Sequence, residues 1–315
     1  MKKLQFILAC AALTALSSCS SDDQSFDPNE IRITTNVGGI EATTRAATNI
    51  HEANNGFKIG DNVNIYITEN AENPTISYGT SGLLEATANS GNVLEFSSKQ
   101  YYPSTGNNID VCGIYPTGIK INSSSQDFSV QTDQSTDDNY RKSDLMFATV
   151  YDHKKEEGPV NLSFQHKLSK VVVKLRHGDG VSSNDIENAK VEILKTITKG
   201  SIASVTQSEM GNISPSNDEG DKLDIIMGEW ISSADVAAIV IPQTIISSAE
   251  SSTPLFKVTL SNGATYTYKP TETVTFKAKK VHTYTLKLTT QEITVTSSIS
   301  NWITGKDGSG DAVLD

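Results

Sequence analysis

Short runs in which apolar and polar residues alternate recur along most of the chain. The first half holds IRITTNV (31–37), DNVNIYIT (61–68), NVLEFSS (92–98), IDVCGIYP (109–116), DFSVQT (127–132) and DLMFATV (144–150). Gly, Asn, Ser and Pro fill the gaps, a spacing that predicts an antiparallel β-sandwich rather than βαβ units. The longest candidate strand is VNLSFQHKLSKVVVKL (160–175), where Leu162, Phe164, His166 and Leu168 alternate before the apolar block Val171, Val172 and Val173. Such a strand can finish one sandwich and begin the next, so the pattern predicts one domain over 31–165 and a second over 166–315. The second half repeats the style, with KVEILKTIT (190–198), AAIVIPQTI (237–245), LFKVTLSNGATYTYKP (255–270), VHTYTLKLTT (281–290) and EITVTSSISNWI (292–303). Asn262-Gly263 is its clearest hairpin signal. The one helix hint is SSADV (232–236), where Ser232 or Ser233 can cap a single turn.

The chain starts MKKLQFILACAALTALSSC, a basic pair followed by an apolar core too short to span a bilayer. Residues 1–18 therefore read as a cleavable secretory signal. The small residues before Cys19 resemble a lipobox, in which the cysteine is acylated and becomes the new N-terminus. The polar, acidic stretch that follows reads as a flexible tether over 19–30. It also resembles the short acidic signal that sends Bacteroidetes lipoproteins to the cell surface, so the expected location is the outer face of the outer membrane.

Charge and cysteine usage narrow the function. The formal net charge is −11, and no basic stripe is present to meet phosphates, so nucleic acid is excluded as a partner. Of the three cysteines, Cys10 leaves with the signal and Cys19 would carry lipid; Cys112 alone cannot form an intrachain disulfide. No G-x-S-x-G elbow occurs, and the five histidines are scattered singly. The pairs Asp137-Asp138 and Glu156-Glu157 read as solvated loop residues. The sequence points to no enzyme, metal or cofactor.

Several segments in order resemble the fimbrillin family of Bacteroidetes surface pilins: the lipobox at Cys19, TTRAA (43–47), GDNVNIYI (60–67), YYPSTGNNIDVCGIYP (101–116), SDLMFA (143–148), LSFQHKLSKVVVKL (162–175), AIVIPQT (238–244) and ISNWITG (299–305). The resemblance implies two tandem antiparallel Greek-key β-sandwich domains of transthyretin-like character. It also implies a role as a fimbrial subunit made as a lipidated precursor. In that family an arginine-specific protease removes an N-terminal segment, and the groove so freed accepts a strand from a neighbouring subunit. Arg45, followed by Ala46, stands where that cut would fall. Its small, uncharged neighbours suit proteolytic nicking; the alternative is a linker arginine with no role.

The two ends of the chain share a pattern. Ile31, Ile33, Thr35 and Val37 alternate as Ile293, Val295, Ser297 and Ile299 do, with a small hydroxyl residue third in each. Because strand side chains alternate between faces, both segments can fill one groove in one register. The expectation is that residues 292–303 of one subunit replace residues 31–40 of the next. Two alternatives stay open: the donor starts at Ala46, or the C-terminal strand keeps to its own sheet. The competing functional class is a monomeric surface lipoprotein that binds glycan or another host ligand, with Tyr101, Tyr102, Tyr266, Tyr268 and Trp302 as candidate platforms.

Overall fold

The computed structural model describes residues 27–37, 57–80, 82–122, 124–232, 234–290 and 292–302. The protein is all-β. The first strands are β1 (Ile33–Val37), β2 (Asn62–Glu69), β3 (Leu83–Asn89), β4 (Val93–Phe96), β5 (Ile109–Tyr115), β6 (Gln126–Ser129), β7 (Met146–His153) and β8 (Val160–His166). All but β6 close into a barrel of order β1-β4-β3-β2-β5-β7-β8. The remaining strands are β9 (Ser169–His177), β10 (Lys190–Ile197), β11 (Lys199–Ile202), β12 (Ile213–Pro215), β13 (Lys222–Ile226), β14 (Gly228–Ser232), β15 (Asp235–Val240), β16 (Gln243–Ile245), β17 (Phe256–Thr259), β18 (Thr265–Tyr268), β19 (Val274–Phe276), β20 (Lys280–Leu288) and β21 (Ile293–Asn301). They form a five-stranded sheet β14-β15-β9-β20-β21, a four-stranded sheet β13-β10-β17-β18 and a pair β16-β19. A three-stranded sheet β12-β11-β6 takes β6 from the first half.

Burial follows the alternation. In β8 every second residue is buried, with Leu162 and Phe164 fully so. In β2 the run from Val63 to Ile67 is buried on both faces, as expected of a strand covered on both sides. Ile65 and Ile67 point into the barrel, whereas Tyr66 joins Cys112, Ile114 and Phe147 in the larger core that the second half supplies. The close packing inside the barrel explains Gly113: a Cβ there would lie 2.4 Å from Phe164 Cζ.

The run 160–175 is two strands, and the reason lies in its backbone bonds. Lys167 donates to the Leu145 carbonyl, and the Leu168 carbonyl accepts from Lys279. These two residues thus leave one ladder and enter another, so β8 serves the barrel and β9 the five-stranded sheet. Two strand pairs, β1 with β8 and β9 with β20, are parallel, and the other strand pairs among the described residues are antiparallel. The helix hint at SSADV fails, because Ser232 and Asp235 pair across the β14–β15 hairpin. Residues read as a polar loop form the helix α1 (Asp137–Lys142) instead, capped by the Thr136 side chain, with acidic residues in its first turn and basic residues in its last. The Asn262-Gly263 hairpin is present, with Gly263 at φ +88° and β17 paired with β18.

Candidate functional site

Strand β1 closes the barrel, lying between β4 and β8. Its parallel register sets Ile33 beside Val160, Thr35 beside Leu162 and Val37 beside Phe164. On its other side it pairs with β4 only at Ile33–Leu94 and Thr34–Val93. Ile31, Ile33 and Val37 are 2%, 0% and 4% exposed and belong to the barrel core. Thr35 sits among them at 5% and uses its hydroxyl to donate to the Asn92 carbonyl at 3.2 Å. The segment before β1 is also pinned: Ile31 donates its N–H to the Gln100 carbonyl at 2.7 Å, and Glu30 pairs with Lys99 at 2.7 Å. If β1 were removed, an apolar slot would open between β4 and β8, lined by Leu94, Val160, Leu162 and Phe164.

Strand β21 ends the five-stranded sheet and pairs antiparallel with β20 along its whole length, from Ile293–Leu288 to Asn301–Lys280. Ile293, Val295 and Ile299 face the same way as Leu288, Leu286 and His282 opposite them. They are half-buried, and Ser297 between them is exposed. Just after the strand comes Trp302, whose ring lies flat on His166 at a centroid distance of 3.8 Å and an interplanar angle of 4°. His166, 5% exposed, donates from Nδ1 to Asp144 Oδ1 at 2.8 Å. Nothing in the sequence joins His166 to Trp302; the only signal was that both stand in segments that carry the family resemblance.

At the rim of the barrel Glu69 accepts five hydrogen bonds, from the Thr75 and Ile76 backbones, the Thr75 and Thr105 hydroxyls and the Asn107 amide. Those donors hold its carboxyl down at about 2. It ties the loops after β2 and before β5 to each other. Cys112 is fully buried on β5, and burial pushes its thiol up to about 12, which keeps it protonated and unreactive. Among the described residues no group of three or more His, Cys, Asp or Glu side chains is placed to hold a metal ion. There too, no helix is long and apolar enough to cross a membrane.

Cys19, expected to carry lipid, and Arg45 and Ala46, expected to flank the processing cut, lie outside the described residues. The glycan candidates are mostly engaged elsewhere. Tyr102 bonds His153 through its hydroxyl at 2.9 Å, Tyr268 stacks on Phe256, Tyr266 packs against the core, and Trp302 covers His166. Tyr101 alone of the five is strongly exposed, at 44%.

Comparison with curated proteins finds no match. Among solved structures, a candidate cell adhesion protein from Bacteroides uniformis is similar at 17% identity and a TM-score of 0.61, over 87% of this chain and 98% of that one. A second, from Bacteroides ovatus, is similar at 19% identity and a TM-score of 0.61, over 88% of this chain and 99% of that one. These likenesses speak to the fold. The sequence profile described as Fimbrillin-like matches residues 44–302, most of the chain. The chain therefore belongs to the fimbrillin-like family, a family of structural, non-enzymatic proteins of cell-surface fimbriae.

Proposed function

We propose that this chain is a stalk-type structural subunit of a surface fimbria, made as a lipoprotein precursor anchored to the outer membrane through Cys19. An arginine-specific protease cuts after Arg45, β1 leaves, and a strand from a neighbouring subunit takes its slot, joining the subunits into a polymer that supports adhesion. The observation that carries this reading is the position of β1. It is a core strand of the barrel, yet it belongs to the N-terminal segment that a cut after Arg45 would detach.

The energetics allow the exchange only when a whole strand docks. Ile31, Ile33 and Val37 contribute roughly 5–9 kcal/mol of gross burial at about 1.5–3 kcal/mol each. The backbone bonds to β8 add about 0.5–1.5 kcal/mol apiece. Association and ordering take back several kcal/mol, so side chains alone would not hold a joint. The slot would otherwise expose its lining and the unpaired edge of β8, which favours capture of any strand with the right alternation.

The C-terminal segment has that alternation. Ile293, Val295, Ser297 and Ile299 can enter where Ile31, Ile33, Thr35 and Val37 were, with the Ser297 hydroxyl in reach of the carbonyl that Thr35 now serves. Because β21 is a half-exposed edge strand, leaving its sheet strands less apolar surface than leaving the barrel would. Val295→Asp tests the donor: the monomer stays folded and assembly after cleavage fails. Normal polymers from that variant would rule out β21 as the donor.

A further inference from the structure

Two stretches separated by most of the second half meet at one point. Trp302, just after β21, covers His166, the last residue of β8. The imidazole is held by two contacts, Asp144 at Nδ1 and the indole on its face, while the His166 backbone pairs with Met146 of β7. Trp302 also donates its backbone N–H to the Lys279 carbonyl at 3.0 Å, and Lys280 Nζ reaches Asn301 Oδ1 at 2.5 Å. The far end of β21 is therefore fastened beyond its ladder, as the near end is by the Thr289–Glu292 hydrogen bonds, whereas the middle has a single ladder and half-exposed side chains.

We propose that the Trp302–His166 stack is a latch that keeps β21 on its own sheet and sets how readily the strand is released. The purpose given to it rests on the strand-exchange reading above; its geometry does not. Edge strands open from their ends, because an end residue breaks fewest contacts when it leaves. Closing that end with a flat aromatic pair suppresses the first step of opening. The anchor is also outside β21's own sheet. His166 sits on β8, whose residues from Val160 to Phe164 are the ones β1 pairs with. The latch thus joins the C-terminal strand to the very strand that loses its neighbour when β1 departs.

The test is amide hydrogen exchange on the purified, uncut protein, comparing wild type, Trp302→Ala, Trp302→Leu, His166→Ala and the double alanine variant. Trp302→Ala speeds exchange of the β21 amides by roughly tenfold and leaves β2 and β5 unchanged. Trp302→Leu, which keeps an apolar side chain but no ring to stack, loosens β21 as well. The double variant is no looser than Trp302→Ala, because both substitutions break one contact. Unchanged β21 exchange in Trp302→Ala, or effects of the two alanines that simply add, would overturn the latch. Treatment with an arginine-specific protease then separates this from the reading beneath it. Faster oligomer formation by Trp302→Ala supports both. Looser β21 with no oligomers from any variant keeps the latch and removes strand exchange, and oligomers forming at one rate with β21 exchange unchanged do the reverse.

Discussion

Strands β1 and β21 share a side-chain pattern but not a situation. β1 has a neighbour on each side, and its inward residues are at most 5% exposed. β21 has one neighbour among the described residues, its apolar face is half open, and Ser297 stands in solvent. The lesson is that sequence pattern sets which face a strand presents, while topology sets how tightly it is held. A strand buried like β1 does not leave by fluctuation; its loss needs a covalent event. A strand placed like β21 is held largely by its ends and one ladder.

The contrast can be broken most forcefully in the barrel. Ile33→Asp puts a carboxylate where no solvent reaches and should cost more than ~3 kcal/mol in urea unfolding. A loss below about 1 kcal/mol would mean that β1 is not part of the barrel's stability. Gly113→Ala probes the same interior from β5. The new methyl meets the Phe164 ring, and about 1–3 kcal/mol of overpacking strain is expected, read as a lower melting temperature.

The rim gives a pH-dependent version of the test. Glu69 has its folded carboxyl lowered to about 2 from 4.5, so its contribution is fully present above pH 4.5 and is lost as pH falls through 2. Wild type should therefore lose stability across that window, and Glu69→Gln should be less stable at neutral pH with a flatter acid profile. Identical acid curves for the two proteins would show that the five hydrogen bonds do not stabilise the rim. The smallest effect belongs to β21. Val295→Asp leaves the charge half solvated and should change monomer stability by no more than about 1 kcal/mol. A loss as large as that of Ile33→Asp would erase the difference between the two strands.

Much of this was legible in the chain. Alternation in IRITTNV and LSFQH gave buried faces that the barrel uses, and Asn262-Gly263 gave its hairpin. Three features were not. The parallel pairing of β1 with β8 joins residues far apart in sequence and depends on barrel closure, which no local pattern encodes. β6, inside the span assigned to the first domain, pairs with β11, and its Phe128, with Val130 just beyond the strand, finds cover in the second half's core. The helix α1 carries a start signal in Thr136, Asp137 and Asp138, but its six residues are too few to show a 3.6-residue stripe. Of the candidate site, Ile31, Ile33 and Val37 were readable as a buried face, whereas the flat contact between Trp302 and His166 required the fold.

The proposed function stands or falls on whether β1 can be removed from the barrel. Its most direct test is brief digestion of the purified precursor with a limiting arginine-specific protease, followed by intact mass and native size analysis. If β1 is removable, digestion gives one preferred cut after Arg45, loss of the segment that carries β1, and a ladder of oligomers in place of monomer. A clean cut that leaves stable monomers still holding the N-terminal segment, or no preferred cut at Arg45, would contradict it.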